Sequence, residues 1–391
     1  MSTDFAPLIA LGMPLYNSSR YLDESLEALH AQTHERFVLV LTDDGSTDGT
    51  PAIAQRWCTR DERFMFASNS RRLGLVGNWR RVFERALVLN PETRYFAWVG
   101  DHDLCQPRWL ELLVAALQAR PAAVLAYPRS AAISETGEPL RFRPREFASD
   151  GLGDRSDRLR ATITGASAGW AVYGLFRTEA LRSCGVLRAV ILPDRLLLAE
   201  ISLYGQVHQV PDVLWHRRFR PGETSTLARQ RETLFPDGAP WHSHLPWPVA
   251  HANALVSSLV IAGAGRPAIG RARGLQFASR YLAWGSVHDS RDDGFLRSWR
   301  ITRKRWMKRS KGWRRYRKTL QGRLRQIRAY PRLRLAANLF SARGRRRLHK
   351  QWRSSPVRSV LRRAALALGA RTVKRAARRW LRRGGGSVIE R

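Results

Sequence analysis

Two pairs of carboxylates in this sequence have the residue type and spacing to do chemistry. Asp101 and Asp103 stand one residue apart, just past the apolar run 95–99, and Asp43 and Asp44 are adjacent, just past the apolar run 37–41. Mg2+ and Mn2+ prefer oxygen ligands and are commonly held by one or two protein carboxylates, with substrate phosphates completing the shell. A cation at Asp101-x-Asp103 would neutralise charge on a leaving diphosphate. Asp43 or Asp44 would accept hydrogen bonds from a ribose hydroxyl or a base N–H. Each pair alone has a plainer explanation. The run Asp43-Asp44-Gly45-Ser46-Thr47-Asp48 is also a polar turn that caps the next helix, and a single Asp-x-Asp is common on surfaces. Two such pairs, each at the end of an apolar strand, argue for one site.

The elements that must position them alternate regularly. Apolar runs at 8–13, 37–41, 64–67, 95–99 and 124–127 read as strands, and stretches 21–31, 50–59, 77–89 and 107–118 carry apolar residues at helical spacing. Ser18 or Ser19 is the expected cap of the first helix, and Pro51 sits in the first turn of the second. Strands this apolar, separated by amphipathic helices, imply a mostly parallel sheet covered on both faces, with ligands bound at the carboxyl ends of the strands. Tyr16-Asn17, Asp43-Asp44 and Asp101-His102-Asp103 all fall at those ends. Beyond them, 141–160 reads as a polar loop and 171–176 as a strand-like run. Stretches 179–183 and 195–204 read as helices, 207–211 and 213–216 as strands, and 252–262 and 269–284 as helices after a Pro/Trp/His-rich joint at 241–248.

These residues carry a resemblance. Gly12-Met13-Pro14-Leu15-Tyr16-Asn17, then Thr42 through Thr50, then Asp101-His102-Asp103 followed by Pro107 and an amphipathic helix, resemble family 2 glycosyltransferases of the GT-A fold, over residues 8–220. The resemblance implies a nucleotide-sugar donor, with Pro14, Tyr16 and Asn17 lining the nucleotide pocket and Asp43 and Asp44 contacting base or ribose. Arg72 and Asn78 fall in the next nucleotide-side segment. Arg72 replaces the asparagine common in that family, and a cation there would meet the diphosphate. The family's metal motif is commonly three acids. Here His102 replaces the middle one, leaving Asp103 as the implied ligand of Mn2+ or Mg2+, with Asp101 beside it on the sugar or ribose side. His102 is expected to face the core or the solvent.

The resemblance also implies a catalytic base. Family members have Glu-Asp, then a helix, with a glycine 11 residues after the Asp, and Asp194 precedes Gly205 by 11 positions with Pro193 in place of the Glu. Direct displacement needs one base to deprotonate the acceptor hydroxyl, so Asp194 is the implied base. Its plainer role is to cap the helix that follows, and Glu200 on that helix reads as structural. Trp170 lies in the acceptor-side segment, where it would stack on a sugar or belong to the core. His216, Arg217 and Arg218, with Ser225 downstream, resemble a segment that closes over the donor diphosphate, for which arginine's fork is suited. A solvated basic turn is the alternative.

Composition adds a second device. The 391 residues hold 68 Lys+Arg against 32 Asp+Glu, but 35 of the basic and only 3 of the acidic residues lie at 291–391. The body is near neutral, and a chain with 44% apolar residues and 14 Trp can bury a full core there, which excludes a wholly disordered polybasic chain. Cys58, Cys105 and Cys184 are too few and too scattered for a disulfide framework or a zinc site. No signal peptide and no membrane-spanning run is visible, so a cytoplasmic protein is expected. In the tail, Trp299, Trp306 and Trp313 recur every seven residues among Arg and Lys, and 355–383 pairs a Val/Leu/Ala/Trp side with a basic side. Such helices lie in membrane interfaces, and each Lys/Arg near an anionic leaflet adds about 1 kcal/mol. Nucleic acid is the less favoured partner, because single-strand binders set their aromatics along a groove.

The expected organisation is a GT-A α/β domain at 1–225, a helical extension at 226–290 and a basic, Trp-containing amphipathic or partly disordered tail at 291–391. The expected function is inverting, metal-dependent transfer of a sugar from a nucleoside diphosphate to a cell-surface or lipid-linked glycan at the cytoplasmic membrane face. The competing readings are a GT-A-like nucleotide or glycan binder without turnover, which Pro193 and His102 favour, and a basic-tailed protein associated with nucleic acid.

Overall fold

The computed structural model describes residues 6–142, 144–166, 168–219, 227–261 and 263–292. The tail expectations, including the Trp299/Trp306/Trp313 seam, lie outside the described residues, as does Ser225.

The first part alternates as expected: β1 (Ile9–Leu15), α1 (Leu22–His30), β2 (Phe37–Asp43), α2 (Thr50–Arg60), β3 (Phe64–Ser68), α3 (Gly74–Leu89) and β4 (Tyr95–Trp98). β1 pairs in parallel with β2 on one side and β4 on the other, and β2 pairs in parallel with β3. The strand order reverses at β1, so the carboxyl ends of β1 and β4 open a crevice where the flanking connections diverge, the position in which open α/β sheets bind ligands. A Cβ on Gly12 would stand 2.8 Å from both Val82 and Phe96. That glycine lets α3 lie directly against β1, which fixes the helix over the strand ends.

The second half closes the sheet with β5 (Leu104–Cys105), α4 (Trp109–Ala119), β6 (Ala123–Ile133), β7 (Pro139–Leu140), α5 (Arg155–Gly165), α6 (Ala168–Ala171), β8 (Leu175–Arg177), α7 (Thr178–Ser183), α8 (Pro193–Ile201) and β9 (Gln206–Arg218). The order across the sheet is β3-β2-β1-β4-β8-β6-β9-β5, with β7 beside β6. The long registers are parallel, including β6 with β9, and the antiparallel pairings join the short β5, β7 and β8. The expected mostly parallel α/β sheet is therefore the one observed. One face is packed by Leu26, Trp109, Leu113 and Trp215, the other by Val82, Phe83, Phe176 and Leu198, each large side chain contributing about 1.5–3 kcal/mol on burial.

A helical extension follows: α9 (Leu227–Leu234), a 3-10 turn Trp241–His244, α10 (Trp247–Val256) running into a π turn Ser257–Ile261, α11 (Arg266–Ile269) and α12 (Arg271–Asp292). Trp247, Leu255, Leu259, Phe277 and Tyr281 pack against Leu159 and Ile163 of α5 and Leu196 and Ala199 of α8. Among the described residues, no helix is long and apolar enough to cross a membrane.

Several local expectations are corrected. The run 171–176 is not one strand: its first residue ends α6, and only Leu175–Arg177 pairs as β8. The two strands expected at 207–216 are one, β9, which passes Pro211 and Asp212 at a register shift against β6. Ser18 and Ser19 do not cap α1, whose cap position is Tyr21 without a side-chain bond. Their backbone N–H groups instead donate to Thr50 Oγ1, at the start of α2, and to Asp48 Oδ2 on the loop before it.

Candidate functional site

At the ends of β1 and β2, side chains bond mainly to one another. Asn78, buried on α3, donates from Nδ2 to the carbonyls of Leu15 (3.2 Å) and Thr42 (2.9 Å). Its Oδ1 accepts from Thr42 Oγ1 (2.8 Å) and Asn69 Nδ2 (2.9 Å). One amide thus staples the last residues of both strands. Asp44 accepts from Asn69 Nδ2 at 3.0 Å and from the Leu73 and Gly74 N–H groups at 2.7 and 2.8 Å, placing its charge at the N-terminus of α3. Asp43 differs. Its Oδ2 accepts from the N–H groups of Gly45 and Ser46, at 3.2 and 3.1 Å, while Oδ1 is buried with no hydrogen-bond partner. An unmatched buried carboxylate oxygen is costly, and a base N–H or ribose hydroxyl would match it.

Pro14 is half-buried in β1, opposite Thr42. Tyr16 is 41% exposed, and the Arg72 guanidinium lies 4.0 Å over its ring. Asn17 takes a left-handed turn (φ 51°), which asparagine tolerates, and its Oδ1 accepts from the Thr47 N–H at 2.9 Å. Nearby, burial opposes ionisation of Asp48, but hydrogen bonds from Thr50 and Ser19 outweigh it and hold its pKa at about 2. The loops after β1 and β2 are therefore tied together.

The arm after β4 splits its two acids. Asp101 is partly exposed and accepts from Ser18 Oγ, and His102 Nδ1 bonds its other oxygen. The Asp103 side chain is fully buried. It accepts from Trp215 Nε1 at 3.2 Å and from the Arg218 N–H at 2.9 Å. Burial pushes the Asp103 pKa up, opposed by His102 and the Arg218 bond. The expectation for His102 is corrected: it faces neither core nor open solvent but bridges the acids, with Nε2 at 3.8 Å from Asp103 Oδ1. For a hard cation, the Asp101 carboxylate fits the requirement for protein oxygen with phosphates completing the shell. Both oxygens of each acid already accept a protein hydrogen bond, and Asp103 differs in being fully buried against β9.

Across the cleft, Leu192 adopts a left-handed turn (φ 56°) that starts α8, and Asp194 follows in its first turn. Burial raises the Asp194 pKa, against the pull of its own-helix neighbour Arg195 and of Arg217. A Cβ on Gly169 would lie 3.1 Å from Arg217 Nη1 and 3.4 Å from Asp194 Oδ2, so the backbone there abuts both. Arg217 Nη1 donates to Gly169 O at 2.6 Å, and its guanidinium covers the Trp170 ring at 5.2 Å. Trp170 stacks on Phe142 (5.6 Å, 19°) and touches Phe219 (5.9 Å). His216 and Arg217 leave β9 on opposite faces, as strand geometry requires. His216 meets Gln106 at 2.8 Å, and burial lowers its pKa.

Two residues that sequence reasoning did not single out join the halves. Tyr173 stacks on Trp215 at 5.2 Å, and its hydroxyl pKa is raised first by burial and then by Asp103, with Asp101 and Asp194 adding and Arg217 opposing. The three carboxylates and Arg217 thus lie within electrostatic reach of one phenol. Asn69 links Asp44 to Asn78. Neither carries a local motif, so only the folded chain reveals them.

Residues 11–185, somewhat under half of the chain, match the model of the family described as Glycosyl transferase family 2. It is 29% identical over 117 residues to an uncharacterized glycosyltransferase of Haemophilus influenzae, covering 29% of this chain and 33% of that one. It is 26% identical over 166 residues to the provisionally named teichuronic acid biosynthesis glycosyltransferase TuaG of Bacillus subtilis, covering 42% of this chain and 61% of that one. The chain thus spans between a third and three-fifths of these relatives. Among solved structures, residues 1–349 of S. aureus TarS in complex with UDP-GlcNAc superpose with a TM-score of 0.51 at 18% identity, over 73% of this chain and 74% of that one. That likeness supports the GT-A fold.

Proposed function

We propose that this chain is an inverting glycosyltransferase that moves a sugar from a nucleoside-diphosphate donor to a hydroxyl of a cell-surface or lipid-linked glycan. The observation that carries the reading is the arrangement across the β1/β4 crevice. In this reading Pro14, Tyr16, Asn17, Asp43 and Arg72 serve the nucleotide, and the buried Asp194, with Arg217 and Trp170, serves the acceptor. Asp101 bonds Ser18 beside the former and shares the surroundings of Tyr173 with Asp194 and Arg217. Asp44 and Asn78 hold the nucleotide-side loops in shape. UDP-GlcNAc in the TarS complex supports a nucleotide-sugar as donor.

In this reading Asp43 Oδ1 accepts from the base or ribose, and Tyr16 with Arg72 flanks the nucleotide. Asp194 takes the proton of the acceptor hydroxyl. The oxygen then attacks the anomeric carbon from the face opposite the diphosphate, and the bond from that carbon to the diphosphate oxygen breaks with the electron pair leaving on the phosphate. Asp101, with the donor phosphates, would hold Mn2+ or Mg2+, which would neutralise charge on the leaving diphosphate. Asp103 anchors the metal arm to β9 through Trp215 and Arg218. Trp170, Phe142 and Phe219 offer the acceptor an apolar ring surface, and Arg217 offers a cation beside it.

The proposal includes the division into a GT-A domain (1–225), a helical extension (226–290) and a basic tail (291–391) that holds the enzyme on the inner membrane face. The donor screen tests the catalytic part: UDP-, GDP- and dTDP-sugars are incubated with the protein and Mn2+ or Mg2+, and released nucleoside diphosphate is measured. Metal-dependent release from one donor is expected. Nucleotide binding with no release from any donor would favour a binder without turnover. Flotation with anionic liposomes tests the tail, and binding to duplex nucleic acid instead of vesicles would overturn it.

A further inference from the structure

The segment that carries Asp194 is irregular. Between α7 and α8 it passes two non-glycine residues in the left-handed region, Val186 (φ 53°) and Leu192 (φ 56°), a conformation that persists only where surroundings enforce it. Around Val186 the enforcement comes from Arg80 of α3, whose Nη1 donates to the carbonyls of Gly185 and Leu187 at 3.2 and 3.1 Å, and around Leu192 it comes from the helical extension. His251 on α10 brings Nε2 to 2.6 Å from the carbonyl oxygen of Ile191, and Nδ1 to 2.6 Å from the hydroxyl of Tyr281 on α12. Both side chains are fully buried. A carbonyl only accepts, so Nε2 carries the ring proton and Nδ1 accepts from the tyrosine hydroxyl. Burial pushes the His251 pKa down to about 3, with the Ile191 bond opposing and Arg195 adding, so the ring stays neutral and keeps that tautomer.

The same extension grips the far side of Asp194. The Arg195 guanidinium lies 4.8 Å over the Trp247 ring. Trp247 in turn packs on His251 and Tyr281, at centroid distances of 5.3 and 6.1 Å. Further back, His242 Nε2 meets Ala189 O at 2.8 Å, and Arg188 donates to Ala254 O at 3.3 Å. Contacts from one helical layer therefore bracket Asp194 on both sides. The donor-side network of Asp44, Asn69 and Asn78 is completed within the GT-A part alone.

We infer that the helical extension is the positioning frame of the acceptor-side carboxylate, with His251, oriented by Tyr281, as the positioning residue that fixes Ile191 and through it Asp194. The inference rests on Asp194 acting as the base. Proton transfer depends steeply on placement, a 1 Å error costing about a hundredfold. Loss of this latch should therefore lower kcat and leave the donor KM alone.

The test uses the full chain with Tyr281→Phe, His251→Leu and His251→Gln. Gln retains an N–H that reaches the Ile191 carbonyl. Hydrogen–deuterium exchange is expected to quicken by about tenfold or more across 187–197 in the first two variants, as expected where a local hydrogen bond is lost. Exchange across 69–78 should stay unchanged, and His251→Gln should return toward wild type. With the donor identified by release of its nucleoside diphosphate, kcat should fall about tenfold for Tyr281→Phe and about a hundredfold for His251→Leu. His251→Gln should recover part of the loss, and the donor KM should stay within about twofold. Exchange that quickens everywhere, or not at 187–197, would overturn the inference. Local loosening with an unchanged kcat would overturn it equally. Full turnover by Asp194→Asn would remove the base reading instead, an outcome distinguishable because exchange at 187–197 does not depend on it.

Discussion

The two ends of the cleft are built in opposite ways. At the donor end, Asp44 and Asn69 sit just past β2 and β3 and Asn78 in the second turn of α3, and they bond one another and the backbone of β1, β2 and α3. At the acceptor end, Asp194, Arg217, Trp170, Phe142 and Phe219 come from a left-handed turn, a strand end, a four-residue helix and loops, and the turn is braced from outside by α10 and α12. The contrast teaches that a site can be rigid for two reasons. The donor end is fixed mainly by its own completed hydrogen bonds, with Pro236 and Leu234 of the extension packed against Gly74, and the acceptor turn by α10 and α12, a different part of that layer.

The largest expected effect separates chemistry from binding. Asp194→Asn should slow sugar transfer by about 10²–10⁴-fold, the range of a general base, while nucleotide affinity measured by calorimetry stays the same. Asp44→Ala should act at the other end through stability. It strands the Leu73 and Gly74 N–H groups and the Asn69 amide, at a cost of about 2–3 kcal/mol, read as a lower thermal midpoint together with weaker nucleotide binding. A full-strength melt for Asp44→Ala would erase the contrast.

The pH dependence sharpens it further. Asp194 must be ionised to take a proton, and burial raises its pKa, so the acidic limb of kcat/KM should lie above an ordinary aspartate's value of about 3.9. Arg217 opposes that rise, so Arg217→Gln should move the limb further up, seen in the pH–rate profile. A downward move would contradict the electrostatic account.

Smaller effects should stay local. Phe142→Ala removes a half-exposed ring from Trp170 and should raise the acceptor KM by about fivefold, near 1 kcal/mol, with donor hydrolysis and melting unchanged. Arg72→Ala removes the cation over Tyr16 and should weaken nucleotide binding by about two- to fivefold, consistent with about 0.5–1 kcal/mol for such a pair.

The same contrast explains what was legible in the sequence. Apolar runs of β-branched or aromatic residues ending in Asp43-Asp44 and Asp101-His102-Asp103 announce parallel strands and their carboxyl ends directly, because strand burial and strand termination are both local. The acceptor end is assembled over distance. Phe142, Phe219 and Trp170 meet from three separate segments, and His251 finds the Ile191 carbonyl with no motif at either position. Asp101 and Asp103 look equivalent as Asp-x-Asp. Which one turns inward is decided by β9, whose Trp215 and Arg218 hold Asp103. The run 171–176 reads as one strand although only its end pairs, because a short helix closes at Ala171 just before β8, and β9 reads as two strands because Pro211-Asp212 interrupts its pattern.

The most direct test compares wild type and Asp194→Asn in one experiment, measuring nucleotide binding and sugar transfer from the donor that the screen identifies. The account predicts equal binding and transfer slower by about a hundredfold or more in the variant. Transfer at the wild-type rate by Asp194→Asn, with binding intact, would contradict it.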